Sequence, residues 1–230
     1  MAEFVFPPPP QMVVPVTDGR FFPVRRIFCV GRNYAAHARE MGSDPAREPP
    51  FFFTKPADAL VTEGKDTPYP SQTINLHHEV ELVVALSTGG HDISVASALS
   101  HVFGYAVGLD LTRRDLQDEA KSTRRPWDMS KAFDASAPIS DIVPASQIKE
   151  PTTGRITLKV NGNLRQSGDL SEQIWSVPEI ISTLSRFVRL APGDLIFTGT
   201  PEGVAAVFAG DLLEGEIESI GTLRTRIIGQ

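Results

Sequence analysis

Ionisable groups crowd against an apolar run at His77-His78-Glu79-Val80-Glu81-Leu82-Val83-Val84-Ala85-Leu86. Residues two apart share one face of a strand, so Glu79 and Glu81 point the same way, followed by Val83 and Ala85. The other face is Val80, Leu82, Val84 and Leu86. Both faces are apolar, so the strand enters the core and carries two carboxylates with it. The competing reading leaves both glutamates in solvent at the strand's start, where carboxylates usually stand. If they are buried, two carboxylates ~4 Å apart repel by about 4 kcal/mol at an effective dielectric near 20. Burial therefore demands a cation or a shared proton. A second strand-like run from Gly104 ends in Asp110. Glu79, Glu81 and Asp110 form an all-oxygen, thiol-free set. It suits a hard cation such as Mg²⁺ or Mn²⁺, with positions left for water and substrate, whereas zinc more often recruits histidine or thiolate.

Two further groupings accompany that set. His37 and Glu40 are three apart on a short helix predicted over Tyr34–Met41, hence on one face; taken alone they read as a surface pair worth a few tenths of a kcal/mol. Gly199-Thr200-Pro201 follows an apolar strand and is expected to open a helical turn, with Thr200 as its cap and Pro201 first. Free N–H groups there suit a carboxylate, although a purely structural turn explains the same residues. Arg113, Arg114, Lys121, Arg124 and Arg125 form a basic cluster. An RNA-binding patch is poorly supported, because no aromatic interleaving precedes Trp127. A substrate carrying two carboxylates accounts for the cluster more economically.

Strands and short helices must position these residues. Ile27–Val30, Phe51–Phe53, Val80–Leu86, Val102–Leu111, Leu195–Phe197 and Leu223–Ile228 read as strands. Ile156–Val160 enters a hairpin through Asn161-Gly162. Asn33 is expected to cap the helix at Tyr34, with Gly42 ending it. Val177–Val188 carries apolar residues at helical spacing behind Pro178. Residues 1–25, rich in proline, are expected as an N-terminal extended arm, and residues 26–230 as one β-rich domain of the α+β class.

Composition narrows the classes further. The chain has 230 residues, 41% of them hydrophobic, enough for a self-sufficient core. One cysteine, Cys29, excludes an internal disulfide and is expected in the core. Twenty-two basic residues against 28 acidic ones give −6, which argues against nucleic acid or an anionic membrane as the main partner. No apolar stretch approaches the ~20 residues of a membrane span and no secretory signal is visible, so a cytoplasmic protein is expected.

Read together, His78-Glu79-Val80-Glu81-Leu82, Gly104 to Asp110 with Arg114-Asp115-Leu116-Gln117, Lys131-Ala132-Phe133-Asp134 and Thr198-Gly199-Thr200-Pro201-Glu202-Gly203-Val204 stand in a telling order and spacing. With Val30-Gly31-Arg32-Asn33-Tyr34, His37, Glu40 and Phe53-Thr54-Lys55-Pro56 they resemble the fumarylacetoacetate hydrolase superfamily over about residues 25–230. Pro49-Pro50-Phe51-Phe52-Phe53, His77-His78, Thr112-Arg113-Arg114-Asp115 and Arg125-Pro126-Trp127 are most similar to its short members that act on fumarylpyruvate in gentisate-type aromatic degradation.

The resemblance implies a mixed β-sandwich roll with short peripheral helices, usually a homodimer. It implies that Glu79, Glu81 and Asp110 hold a divalent metal, Mg²⁺ or Mn²⁺, with Ca²⁺ able to stand in within crystals. Lys131 lies beside the metal: three carboxylates and a dication leave −1, which one lysine neutralises. His37 and Glu40 become a dyad that deprotonates water, on a helix able to act as a lid. Arg114 and Gln117 contact the pyruvoyl end of an oxo-acid substrate, with Thr200 and Gly199 beside it. Cleavage of 3-fumarylpyruvate to fumarate and pyruvate is the expected reaction. Alternatives on the same site are another acylpyruvate hydrolase, an oxaloacetate decarboxylase or tautomerase, a 2-oxo acid isomerase, or a non-catalytic oxo-acid-binding protein. His77 and His78 are expected as neighbours of the metal ligands at most.

Overall fold

The structure, a computed structural model, describes residues 4–40 and 48–229. Two sheets carry the molecule. The first has six strands in the order Val143–Pro144, Val102–Leu109, Val80–Leu86, Asp194–Phe197, Arg26–Gly31 and Phe51–Lys55. The second has five: Asn163–Asp169, Arg155–Val160, Leu212–Ile217, Gly221–Ile228 and Thr67–Pro68. Short helices lie at the periphery, which makes the fold a mixed β-sandwich roll of α+β class.

Alternation along Val80–Leu86 explains the layering. Val80, Leu82, Val84 and Leu86 project into a core shared with Ile156, Leu158, Leu213 and Leu223 of the second sheet. Val83 and Ala85 project the other way, into a second core. Every residue of this strand is buried. Within the segment expected as an extended arm, Val13–Pro15 and Phe21–Pro23 pair antiparallel, and Val14, Phe22 and Val24 sit in that second core. Asn161 and Gly162, at φ 53° and 77°, supply the turn between Arg155–Val160 and Asn163–Asp169. The helix Val177–Phe187 carries Pro178 in its first turn and buries Ile180, Ile181 and Leu184 in the first core.

One local expectation fails. Asn33 does not cap the short helix Ala35–Glu40: its amide donates to the carbonyls of Trp175 and Thr198 and accepts from the Trp175 N–H. It ties three distant segments together, a better use of a buried amide than one helix end offers. Gly42 lies outside the described residues. Among the described residues, no helix is long and apolar enough to cross a membrane.

Candidate metal and substrate site

Strand register brings the carboxylates together. Val80 pairs with Leu109 and Glu81 with Gly108 in the antiparallel ladder, and the Asp110 N–H donates to the Glu79 carbonyl one step further on. Asp110 thus stands opposite Glu79, and opposed residues share a face. Glu79, Glu81 and Asp110 each offer a carboxylate oxygen within 4.8 Å of the others, and all three are buried.

Three cations meet them. The Lys131 ammonium donates to Glu79 Oε2 at 2.8 Å and to Asp110 Oδ2 at 2.6 Å. Arg114 donates from Nη2 to Glu79 Oε1 and from Nη1 to Gln117 Oε1 at 2.5 Å. Lys55, wholly buried, lies 2.8 Å from Asp110 Oδ1 and donates to the carbonyls of Leu111 and Lys131. That contact with Oδ1 is an ion pair without hydrogen-bond alignment, and among the described residues the oxygen has no hydrogen-bond partner. Lys55 closes the strand Phe51–Lys55, and its role was not foreseen from the sequence: a lysine before proline carries no sign of a carboxylate 55 residues away.

Burial alone would push the Glu79 carboxyl upward; the Lys131 and Arg114 charges overcome it and hold Glu79 well below the usual range. Glu81 goes the other way. Burial and the charges of Asp110 and Glu79 push it far above the usual range, against the Gly199 N–H, which donates to Glu81 Oε2 at 2.8 Å, and Lys131. Burial would lower the Lys131 ammonium, but Asp110 and Glu79 raise it on balance. A hard dication fits this donor set: close buried carboxylates, one oxygen without an aligned partner, and one group that stays charged only beside added positive charge. The charge count differs from the expected one. Lys55, Lys131 and Arg114 already balance the three carboxylates, so a dication would leave +2 and an anionic ligand completes the balance.

His37 is buried, with Nδ1 3.2 Å from Glu40 Oε2. Glu40 is held in turn by the Gly203 N–H, at 3.1 and 3.2 Å from its two oxygens. A carboxylate only accepts, so Nδ1 carries the proton and Nε2 is the basic nitrogen. Burial lowers the imidazole's pKa, against the raising influence of Glu79 and Glu40, so it is neutral at pH 7.

Thr200 donates to the Val80 carbonyl and accepts from Gln166 Nε2, both at 2.8 Å. The helical turn expected at Pro201 does not form. The Gly199 N–H serves Glu81 rather than lying free for a substrate carboxylate, because φ +98° at this glycine turns it inward. Gln166 went unnoticed in the sequence. Its Oε1 accepts from the Val80 N–H and bonds His78 Nδ1, while Nε2 reaches the Pro201 carbonyl. It clamps the start of the carboxylate strand to the Thr200 loop. His77 accepts from Arg114 and bonds Asn75, and burial together with Arg114 lowers it to about 4, so it is neutral.

A cleft opens over this floor. His37, Glu79, Glu81, Asp110, Arg114, Gln117, Lys131 and Thr200 all line it; Glu40 and Gly199 stand behind that lining. Val30, Gly31, Arg32, Phe51, Phe53, Lys121 and Trp127 complete its wall. Of the basic cluster, only Arg114 and Lys121 reach it. Cys29 is buried.

Fold and cavity together define an enzyme whose cleft takes a small molecule beside buried carboxylates that fit a divalent cation. Residues 26–228 match the fumarylacetoacetate (FAA) hydrolase C-terminal family, and the chain belongs to that family, as a hydrolase acting on carbon–carbon bonds. The crystal structure of fumarylpyruvate hydrolase from Pseudomonas aeruginosa in complex with Mn²⁺ and pyruvate is similar, with TM-score 0.96 and 52% identity, covering 99% of this chain and 100% of that one. A fumarylpyruvate hydrolase of Ralstonia sp is 45% identical over 78% of this chain and 93% of its own length. The mitochondrial oxaloacetate tautomerase of Rattus norvegicus is 46% identical over 88% of this chain and 91% of its own.

Proposed function

We propose that the protein cleaves 3-fumarylpyruvate with water to fumarate and pyruvate, in gentisate-type aromatic degradation. The observation that carries this reading is His37, held by Glu40 and through it by Gly203, in one cavity with three convergent carboxylates. Hydrolysis needs an activated water; an isomerisation does not.

Glu79, Glu81 and Asp110 would hold the divalent ion, Mg²⁺ or Mn²⁺, which when bound supplies Lewis acidity for oxygens that gain negative charge. The Mn²⁺ and pyruvate bound by the Pseudomonas aeruginosa enzyme support both ligand types here. Arg114 and Gln117 orient the 2-oxo carboxylate end. Since Gln117 Oε1 is taken by Arg114, its amide N–H₂ is the group offered to a substrate oxygen. His37 Nε2 removes a proton from water as its oxygen adds to the carbonyl remote from that end. The carbon–carbon bond then breaks, its electron pair staying with the pyruvate carbon as an enolate, and the Lys131 ammonium offsets the growing charge. Proton return gives pyruvate, and the remote acyl group leaves as a carboxylate.

Purified protein with Mg²⁺ or Mn²⁺ should abolish the enol absorbance of fumarylpyruvate and release equimolar pyruvate. No release rejects the reading. The 46% identity to an oxaloacetate tautomerase supports a second reading, with oxaloacetate as substrate. A substrate panel run with and without chelator separates the two. We also propose a homodimer, supported by the exposed Phe4, Val5 and Phe6; elution at monomer mass over a wide concentration range would reject it.

A further inference from the structure

Five cations stand in or under the cavity, and they divide into two sets. Lys55, Lys131 and Arg114 are committed to the carboxylate floor. Arg32 and Lys121 line the same cavity without such a commitment. Among the described residues Arg32 pairs with no carboxylate, and Lys121 has only a loose contact of 3.7 Å with Asp118. Each is instead held over an aromatic ring of the cavity wall: the Arg32 guanidinium 5.6 Å from the Phe51 ring centre, and the Lys121 ammonium 5.5 Å from that of Trp127. The two rings contact each other edge to face, with centres 5.4 Å apart. One aromatic pair therefore carries two positive charges at one side of the cavity.

Both cations are placed there by backbone geometry. Arg32 follows the strand Arg26–Gly31 in the left-handed region, at φ 59°, which costs a non-glycine residue about 1–2 kcal/mol. Gly31 beside it has no room for a side chain, because the Phe51 ring fills the place of a Cβ. Such a strained turn is retained where the surrounding structure has a use for it. Lys121 is on the helix Arg114–Thr123, where Arg114, Gln117 and Lys121 at i, i+3 and i+7 share one face. At 1.5 Å per residue, Lys121 is about 10 Å along the axis from Arg114. That face is a ruler with the pyruvoyl-binding pair at one end and a further cation at the other.

We infer that Arg32 and Lys121 are the specificity determinants that receive the remote carboxylate of a long, doubly charged oxo acid, with Phe51 and Trp127 holding them in place. The inference rests on the proposed function and assigns a part of the substrate that the proposal leaves unbound. The length fits: six carbon–carbon bonds of about 1.5 Å span roughly 7.5 Å when extended, so a seven-carbon diacid reaches both ends. A four-carbon diacid, with three such bonds, spans about half of that and cannot. Mutual repulsion points the same way: besides burial, Arg114 and Arg32 depress the Lys121 ammonium, so an anion between them relieves an unfavourable arrangement. The other arginines of the basic cluster are excluded by their positions. Arg113 bonds the Met129 carbonyl and covers Phe133, Arg125 pairs with Glu119, Arg124 ends the helix, and none lines the cavity.

The test compares fumarylpyruvate with acetylpyruvate, which has the same pyruvoyl end and a methyl group in place of the acrylate arm. With Mn²⁺-loaded protein, R32Q and K121Q should each lower the ratio of kcat/KM for fumarylpyruvate over acetylpyruvate by about tenfold or more, the size of one charge-assisted hydrogen bond. R32K should restore part of it. A purely structural role lowers both substrates alike and leaves the ratio fixed; that outcome, or no loss on either, overturns the inference. If the wild type cleaves neither compound, the hydrolase reading has failed, and calorimetric binding decides the inference separately. Tighter binding of fumarylpyruvate that both variants abolish supports it; equal affinities, or no binding of either, overturn it.

Discussion

The Lys131 ammonium lies 2.6 Å from Asp110 Oδ2, and both side chains are buried. The same ammonium holds Glu79, so it shares two carboxylates with any cation the centre binds. Lys131 therefore neutralises the carboxylates and, beside a dication, repels it.

From this follows a pair of effects of opposite sign. K131M removes a like charge from the cation's surroundings and the partner of the developing enolate. Mn²⁺ affinity measured by calorimetry should rise about tenfold or more, while kcat falls about 10²–10³-fold. Loss of both affinity and rate would show that Lys131 only holds the carboxylates in place.

The His37–Glu40 pair fixes the pH dependence. Protonated His37 cannot act as a base, and burial places its pKa below the ordinary 6.5. The acid limb of kcat/KM should therefore lie below pH 6.5. Glu40 raises that pKa through its hydrogen bond and charge, so E40Q should move the limb to still lower pH while lowering the plateau tenfold or more. H37A should lower the rate about 10²–10⁴-fold at neutral pH. An acid limb that E40Q leaves unmoved would assign the titration to another group.

Lys55 gives a stability prediction. It touches Asp110 from beneath and reaches no part of the cavity. K55M keeps the volume but leaves the Leu111 and Lys131 carbonyls without their donor and Asp110 with one cation fewer. Removing one partner of a buried ion pair costs about 3–5 kcal/mol, to be read from urea unfolding of chelator-treated protein. A loss below about 1 kcal/mol, as for a solvated pair, would mean that Lys55 is not buried as described.

Strand-level features of this site were legible because they are local. Alternation in Val80–Leu86 announced two buried faces, and with them the shared direction of Glu79 and Glu81. Asp110 needed the register of a ladder, which no single segment encodes. Lys55 and Gln166 lay beyond reach: each is buried by partners distant in sequence, and Gln166 sits in the polar-looking strand Asn163–Asp169. Asn33 misled because its residue type is a good cap, and tertiary bonds to Trp175 and Thr198 outcompeted the helix end. Pro201 misled likewise, since the preceding residues spend their donors on Glu81 and Val80.

Gly199 offers a test with an internal control. Its φ of +98° aims its N–H at Glu81, and a Cβ there would stand 2.6 Å from the Asn33 Cβ. Gly210, at φ +100°, has nothing within 4 Å of the same added atom. Both G199A and G210A therefore incur the left-handed cost of about 1–2 kcal/mol, and only G199A adds a collision with a residue that itself ties the Thr198 and Trp175 segments. To relieve it the 198–200 segment must move, and the hydrogen bond to Glu81 Oε2 moves with it. G199A should thus unfold at lower urea than G210A and bind Mn²⁺ more weakly, whereas G210A should keep wild-type Mn²⁺ affinity. Equal affinity in both variants would show that Glu81 is oriented without the Gly199 N–H.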